Sequence, residues 1–231
     1  MSKIKKIFNY FTFFEKISWL ASVTVILAVF FAYNTTWHMA LGSIIGITMI
    51  LFNAKGNPIG QVLAVVFSLF YAIVSLFLRL YGEVITYAGM TLPMAIFALI
   101  SWCKNPYKDN KAEIKINKLS KKDALLLSVL ALIITISFYF ILKFFDTPNL
   151  FVSTFSVTTS FIAVFLTNKR SPFFSLAYAL NDLVLIVLWS LVSANDLRNL
   201  SMVVCFIVFL YCDLYAFINL RKIQRKQLSN V

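Results

Sequence analysis

LFNAKGNPIGQVLAVVFSLFYAIVSLFLRLYGEVITYAGMTLPMAIFALISW, running from Leu51 to Trp102, decides the fold. It reads as the end of one membrane helix, a tight basic turn and two further membrane helices. The turn Asn53-Ala54-Lys55-Gly56-Asn57-Pro58 breaks helix and carries a positive charge. Two long apolar runs follow, divided at Tyr81-Gly82-Glu83. Pro93 stands near the middle of the second, a place where a soluble helix would break and a membrane helix can be repaired by its neighbours.

The same events recur later, in SFIAVFLTNKRSPFFSLAYALNDLVLIVLWSLVSANDLRNLSMVVCFIVFLYCDLYAFINLRK, from Ser160 to Lys222. An apolar run ends at Asn168-Lys169-Arg170, a Ser-Pro turn opens the next, and Ala194-Asn195-Asp196 separates the last. Order and charge side agree with the first stretch, so the pattern predicts two parallel repeats, as in transporters built about an axis along the membrane normal.

Composition supports a membrane protein throughout. Of 231 residues, 61% are apolar, 16% aromatic and only 13% charged, which excludes an ordinary soluble domain. Runs of roughly 20 apolar residues are long enough to cross a bilayer. The net charge of +12 lies in the connections and therefore bears on topology; no basic soluble fold is present to bind nucleic acid.

The expected architecture is all-α and integral to the membrane, with eight transmembrane helices in a three-one-three parallel repeat plus one extra N-terminal helix. Residues 1–36 hold a basic, aromatic amphipathic segment with Lys3, Lys5 and Lys6, then the extra span Ile17 to Tyr33. Such a charged start before an apolar run also fits a signal peptide, but no small-residue cleavage site closes the run. Residues 37–102 form the first three-helix repeat, with spans Trp37 to Asn53, Pro58 to Leu80 and Glu83 to Trp102. Gly42 and Gly46 give the first of these a small-residue packing face. Residues 103–149 contain a basic loop, read as solvated and facing anionic lipid, and a connecting span from Asp123 to Phe145. Residues 150–220 form the second repeat, with spans Leu150 to Thr167, Pro172 to Ser193 and Leu197 to Leu220; residues 221–231 are a basic tail. All of the 21 cations except Arg79, Lys143 and Arg198 then fall on one side, which places both termini and the central loop in the cytoplasm and the chain in the plasma membrane.

Nothing in the chain resembles catalytic machinery. His38 beside Trp37 reads as an interfacial residue, and Cys103, Cys205 and Cys212 form neither a disulfide framework nor a metal set. There is no His-Glu-x-x-His helix, no phosphate loop and no nucleophile–base pair, so no enzyme, cofactor or metal is expected. Function is sought instead at mid-membrane polar groups, which lipid makes costly. Asn181 and Asp182 lie at the centre of the seventh span; Tyr178 shares their face one turn earlier and Trp189 two turns later. A shift of 115 residues sets Phe67 opposite Asp182, with Tyr71 one turn on. Tyr87 and Thr91 precede Pro93 in the fourth span. These eight residues are the candidate substrate contacts, with an interhelical polar staple as the competing reading of Asn181 and Asp182. Pro93 is a hinge or a fixed kink. Asp213 is read as close enough to the helix end to snorkel or pair with Arg221.

Lys55-Gly56-Asn57, Tyr71, Leu80-Tyr81-Gly82-Glu83 and Pro93-Met94 resemble the first repeat of the PnuC vitamin transporters; Asn168-Lys169-Arg170 and Asn181-Asp182 resemble the basic turn and binding helix of the second. The resemblance covers about Leu41 to Lys222. It implies a full-length SWEET-like fold, often a homotrimer, that moves nicotinamide riboside, or thiamine, riboflavin or deoxynucleosides, by facilitated diffusion, with a cytoplasmic kinase trapping the product. Two departures bear on substrate: Ala95 follows Pro93-Met94 where the nicotinamide riboside branch has glutamine, and Ser175 and Tyr178 are the nearest residues to its paired tryptophans. Two other classes fit the chain. An ion-coupled transporter would titrate Asp182 or Asp213, and a non-transporting scaffold would use the basic loop as its partner surface.

Overall fold

The computed structural model describes residues 10–77, 79, 81–108, 110–194 and 196–229. Lys3, Lys5 and Lys6, together with Leu80, Asp109 and Asn195, lie outside the described residues.

Eight helices in this range are long and apolar enough to cross a membrane: α1 (Phe13–Ala32), α2 (Trp37–Ala54), α3 (Ile59–Phe77), α4 (Tyr81–Cys103), α5 (Lys121–Phe144), α6 (Leu150–Asn168), α7 (Phe173–Ser193) and α8 (Leu200–Ser229). A 3-10 turn, Leu197–Asn199, leads into α8. Helix α8 runs past Leu220 to Ser229, so most of the basic tail is helical. Half of the most apolar window of α6 is buried, against 11% for α5. Helix α6 is therefore central and α5 peripheral, with Leu132 and Phe140 of α5 turned outward toward lipid. An open apolar groove of about 440 Å3 between α5 and α6 is lined by Thr135, Tyr139, Phe151 and Phe155, and none of the candidate substrate contacts borders it.

The packing has a two-part pattern. Helix α1 lies against α2 and α8, where Ile26, Ile47, Ile50, Cys205, Phe209 and Ala216 form one core. Helix α5 lies against α6 and α4, where Met90, Phe138, Leu142, Val157 and Phe161 form another. Helices α1 and α5 also start alike. Thr12 and Glu15 make a reciprocal capping box at α1, and Ser120 and Asp123 make one at α5, each satisfying two otherwise orphaned donors. Each capping acid then reaches a basic turn: Lys55 Nζ lies 3.0 Å from Glu15 Oε2, and Lys169 Nζ lies 2.6 Å from Asp123 Oδ1.

The two basic turns close with the same bonds. Gly56 (φ 62°) and Arg170 (φ 54°) are left-handed; Asn57 N donates to Phe52 O at 3.0 Å and Ser171 N to Leu166 O at 3.1 Å. These are the six-to-one bonds that end a helix by a Schellman turn. The segment between α4 and α5 is folded rather than an open solvated loop. Its strands β1 (Pro106–Tyr107) and β2 (Asn110–Ile114) pair antiparallel. Ile114 is 1% exposed and its N–H donates to Gly56 O at 2.9 Å, while Asn117 N donates to Arg170 O at 3.0 Å. Gln227 of α8 donates to Ile114 O and accepts from Ile116 N. One strap thus ties both turns and the end of α8 together, which explains why a segment rich in lysine still has a buried residue at its centre.

Candidate functional site

Two mid-membrane groups stand on opposite helix pairs. On α3 and α4, Tyr71 stacks on Tyr87 with ring centres 5.3 Å apart and planes 22° apart, and Phe67 meets Tyr71 at 4.6 Å. Helix α2 makes room for this trio. A Cβ placed at Gly42 would fall 2.6 Å from Tyr71 Cε2, and one at Gly46 would fall 2.5 Å from Phe209 Cζ of α8. The glycine face therefore seats two aromatic rings from different helices, a more specific role than close backbone packing alone.

Helix α4 changes character beside the trio. Ile85–Thr91 is π-helical and ends two residues before Pro93, whose missing N–H cannot serve the Gly89 carbonyl. The Thr91 hydroxyl donates to Thr86 O at 3.0 Å, so this candidate contact is engaged with its own backbone. The wide turn carries the Tyr87 ring to its position against Tyr71.

On α7, Asn181 and Asp182 are buried at 6% and 4% exposure. The Thr159 hydroxyl of α6 donates to Asn181 Oδ1 at 2.7 Å, leaving the Asn181 amide NH2 without a partner among the described residues. Asp182 shares this buried region with Asp213 of α8, 5% exposed, and among the described residues its Oδ2 has no hydrogen-bond partner. Asp213 was therefore misread as a residue of the helix end. It is 5% exposed, α8 continues well beyond it, and Arg221 donates instead to Gln224 and lies over Phe173. Tyr178 sits edge-on to Phe174 and within electrostatic reach of both aspartates. Trp189 is half-buried and makes no ring or side-chain hydrogen-bond contact with this group among the described residues.

Cys205 is buried on α8, one and two turns before Phe209 and Asp213. Its thiol donates to Ser43 of α2 at 3.1 Å. Asp213 and Cys205 were not among the expected contacts, because both sit in a continuous apolar run whose end was placed too early. Among the described residues no group of His, Cys, Asp and Glu is arranged to hold a metal ion. The arrangement can stack a flat ring and accept hydrogen bonds from a polar one.

A model of the nicotinamide mononucleotide transporter family matches residues 36–222. The chain belongs to that family. It is thus a membrane transporter of the PnuC group and not an enzyme. It is 22% identical to the nicotinamide riboside transporter PnuC of Neisseria mucosa over 227 residues, covering 96% of this chain and 86% of that protein. A crystal structure of the vitamin B3 transporter PnuC has the same fold, with a TM-score of 0.77, 20% identity and 94% of each chain covered.

Proposed function

We propose that this protein takes up nicotinamide riboside, or a closely related nucleoside, by facilitated diffusion, and that a cytoplasmic kinase traps the product. The observation that supports this reading is a stacked Phe67–Tyr71–Tyr87 trio on α3 and α4 together with buried Asn181 and Asp182 on α7, in a chain of this transporter family. A flat base stacks on the trio, worth about 1–3 kcal/mol per base, and ribose hydroxyls donate to carboxylate and accept from the Asn181 amide. Tyr178, Thr91 and Trp189 complete the proposed contact set as lining residues. Ala95, 3% exposed, supplies no amide, so selectivity rests on shape and stacking more than on a glutamine.

The same reading puts the basic end, both termini and the strap in the cytoplasm, and the protein in the plasma membrane as a homotrimer. It treats the bundle as a SWEET-like parallel repeat. The matching caps, acid–lysine pairs and cores support α1 as the counterpart of the connecting helix α5, so that the three-one-three plan with one extra helix is a four-helix unit used twice.

A thermal-shift screen of purified protein against nicotinamide riboside, thiamine, riboflavin and deoxynucleosides tests the substrate class. Stabilisation by nicotinamide riboside alone fits the proposal, and stabilisation only by another of these compounds reassigns it. Uptake that persists without the intracellular kinase and follows a proton or sodium gradient removes facilitated diffusion. In a Cys103→Ser background, labelling of Asn110→Cys from outside intact cells by an impermeant reagent inverts the topology.

A further inference from the structure

The strap lies between the starts of the two helices that carry the halves of the proposed site. Helix α3, with Phe67 and Tyr71, begins directly after the Gly56 turn, and α7, with Tyr178, Asn181 and Asp182, begins directly after the Arg170 turn. Ile114 N donates to Gly56 O at 2.9 Å and Asn117 N to Arg170 O at 3.0 Å, so the chain from Ile114 to Asn117 holds the two helix starts together. A transporter opens its two sides in turn. Opening the basic end by parting α3 from α7 requires the strap to release one of the two turns.

The bonds differ on the two sides. Toward α7 they are reciprocal and charge-assisted: Arg170 Nε returns a bond to Lys115 O at 3.2 Å, and its Nη1 donates to Ser101 Oγ at 2.9 Å. Ser101 Oγ and Trp102 Nε1, just before the strap, donate to Asn168 O and Thr167 O, both at 2.9 Å. Toward α8, Gln227 bonds Ile114 O and Ile116 N, both at 2.9 Å. The Ile114 side chain packs on this same side, in one core with Trp102, Phe174 and Leu220. Toward α3 the contact is backbone on backbone, with no side chain on Gly56 to grip the strap; a Cβ there would lie 3.2 Å from Ile114 Cγ1. Tyr10 donates to Ala112 O at 3.4 Å and Asn219 of α8 to Ala54 O at 2.8 Å across the same seam, each a neutral donor on one carbonyl. We propose that the strap is the gate of the basic end: it parts from the first turn at Gly56 and stays fastened to Arg170 and Gln227. This rests on the site and topology of the nucleoside reading above, and it adds the contact that moves.

Amide hydrogen exchange of the unmodified full-length protein, without ligand and resolved to single residues, reads the gate directly. Ile114 is 1% exposed and Asn117 is exposed, so burial alone ranks Asn117 as the faster of the two. Opening at Gly56 reverses that order. The Ile114 amide is expected to exchange about tenfold or more faster than those of Ile116 and Asn117, after correction for intrinsic rates. Equal or slower exchange at Ile114 overturns the gate. In a Cys103→Ser background, Gly56→Cys with Ile114→Cys is expected to form a disulfide across the contact. The oxidised pair, checked for a cooperative melt, is expected to take up nicotinamide riboside into vesicles about tenfold or more slowly, to keep its thermal shift with that compound, and to recover on reduction. Undiminished uptake after complete cross-linking also overturns the gate. Where the pair does not fold, the exchange order decides. No uptake and no thermal shift in the Cys103→Ser parent fails the nucleoside reading instead, and the exchange order, which needs no ligand, still decides the gate.

Discussion

At Gly56 and at Arg170 the backbone makes the same left-handed turn with the same six-to-one bond, yet the surroundings differ. Around the first turn Lys55 is covered: its ammonium meets a Glu15 that is 2% exposed and lies over the rings of Tyr10 and Phe11, and Tyr215 donates to the same carboxylate. Around the second, Lys169 and Asp123 form a pair open to water, and Arg170 stays ordered through bonds to Ser101 and Lys115 O. Burial without an acid partner lowers the pKa of the Arg170 guanidinium from its ordinary value. One geometry is thus held in two ways, by a buried ion pair in the first half and by backbone-directed hydrogen bonds in the second. Ion pairs gain most where water is excluded and partners are complete.

The largest expected effect breaks that contrast. Glu15→Ala removes a helix cap, the Lys55 partner and the Tyr215 acceptor together, and leaves a half-covered ammonium. A loss of about 3 kcal/mol is expected, the lower end for breaking a buried pair because Lys55 keeps some water. Asp123→Ala, on the exposed pair, is expected to lower the melting temperature far less. Equal shifts for the two variants in detergent would mean that the turns are held alike after all.

The second effect concerns the mid-membrane groups, aromatic on α3 and α4 and acidic on α7 and α8. Gly42→Ala drives a methyl into the Tyr71 ring, and overpacking of this kind costs about 1–3 kcal/mol. Ligand affinity is expected to fall by roughly tenfold, since the ring must leave its stack with Tyr87. Gly89→Ala, whose new methyl meets nothing closer than 3.7 Å, is the control. Undiminished affinity in Gly42→Ala would take the trio out of the site.

The third sharpens the comparison of the turns. Gly56→Ala forces a side chain into a left-handed position and toward Ile114 Cγ1 at 3.2 Å, and is expected to cost about 1–2 kcal/mol. Arg170→Gly relieves the same backbone penalty while losing the bonds to Ser101 and Lys115, so its net effect is expected to be smaller. Chemical denaturation of both variants measures the difference. A larger loss in Arg170→Gly would make the guanidinium contacts the dominant support of that turn.

Much of the architecture was legible because lipid imposes long apolar runs and leaves charge to the turns. Lys55 and Lys169-Arg170 located both turns, and Gly42 and Gly46 located a packing face. What stayed hidden depended on partners far away in the chain. Nothing near Ile114 says that a basic loop becomes a strap, because its donors go to Gly56, Arg170 and Gln227. Asp213 was misplaced because basic residues after Leu220 were read as the end of the helix, whereas Arg221 and Lys226 lie within its last turns. Glu15 in the N-terminal region carried no sign of Lys55, although Thr12-x-x-Glu15 is a capping signature that repeats at Ser120-x-x-Asp123. Of the candidate contacts, Asn181 and Asp182 were visible from their cost in lipid, but the aromatic trio was assembled by the π-helical turn of α4, which local sequence signals only through Pro93.

The smallest effect separates staple from ligand contact at Asn181. Its Oδ1 is held by Thr159 and its amide NH2 has no partner among the described residues, so one end of the group anchors the helix pair while the other is available to a ligand oxygen. Thr159→Val keeps shape and removes only the donor. If Asn181 serves α6–α7 packing alone, the variant loses about 1 kcal/mol of stability, the net worth of a hydrogen bond, and binds ligand as before. If the bond also aims the amide, affinity falls by a few-fold on top of that loss, and Asn181→Ala adds nothing further to the affinity defect in the double variant, because the amide was already misdirected. The expected outcome is this second one. Lost stability with unchanged ligand affinity in both Thr159→Val and Asn181→Ala would reduce Asn181 to a staple and leave the binding groups of the second half to Asp182 and Tyr178.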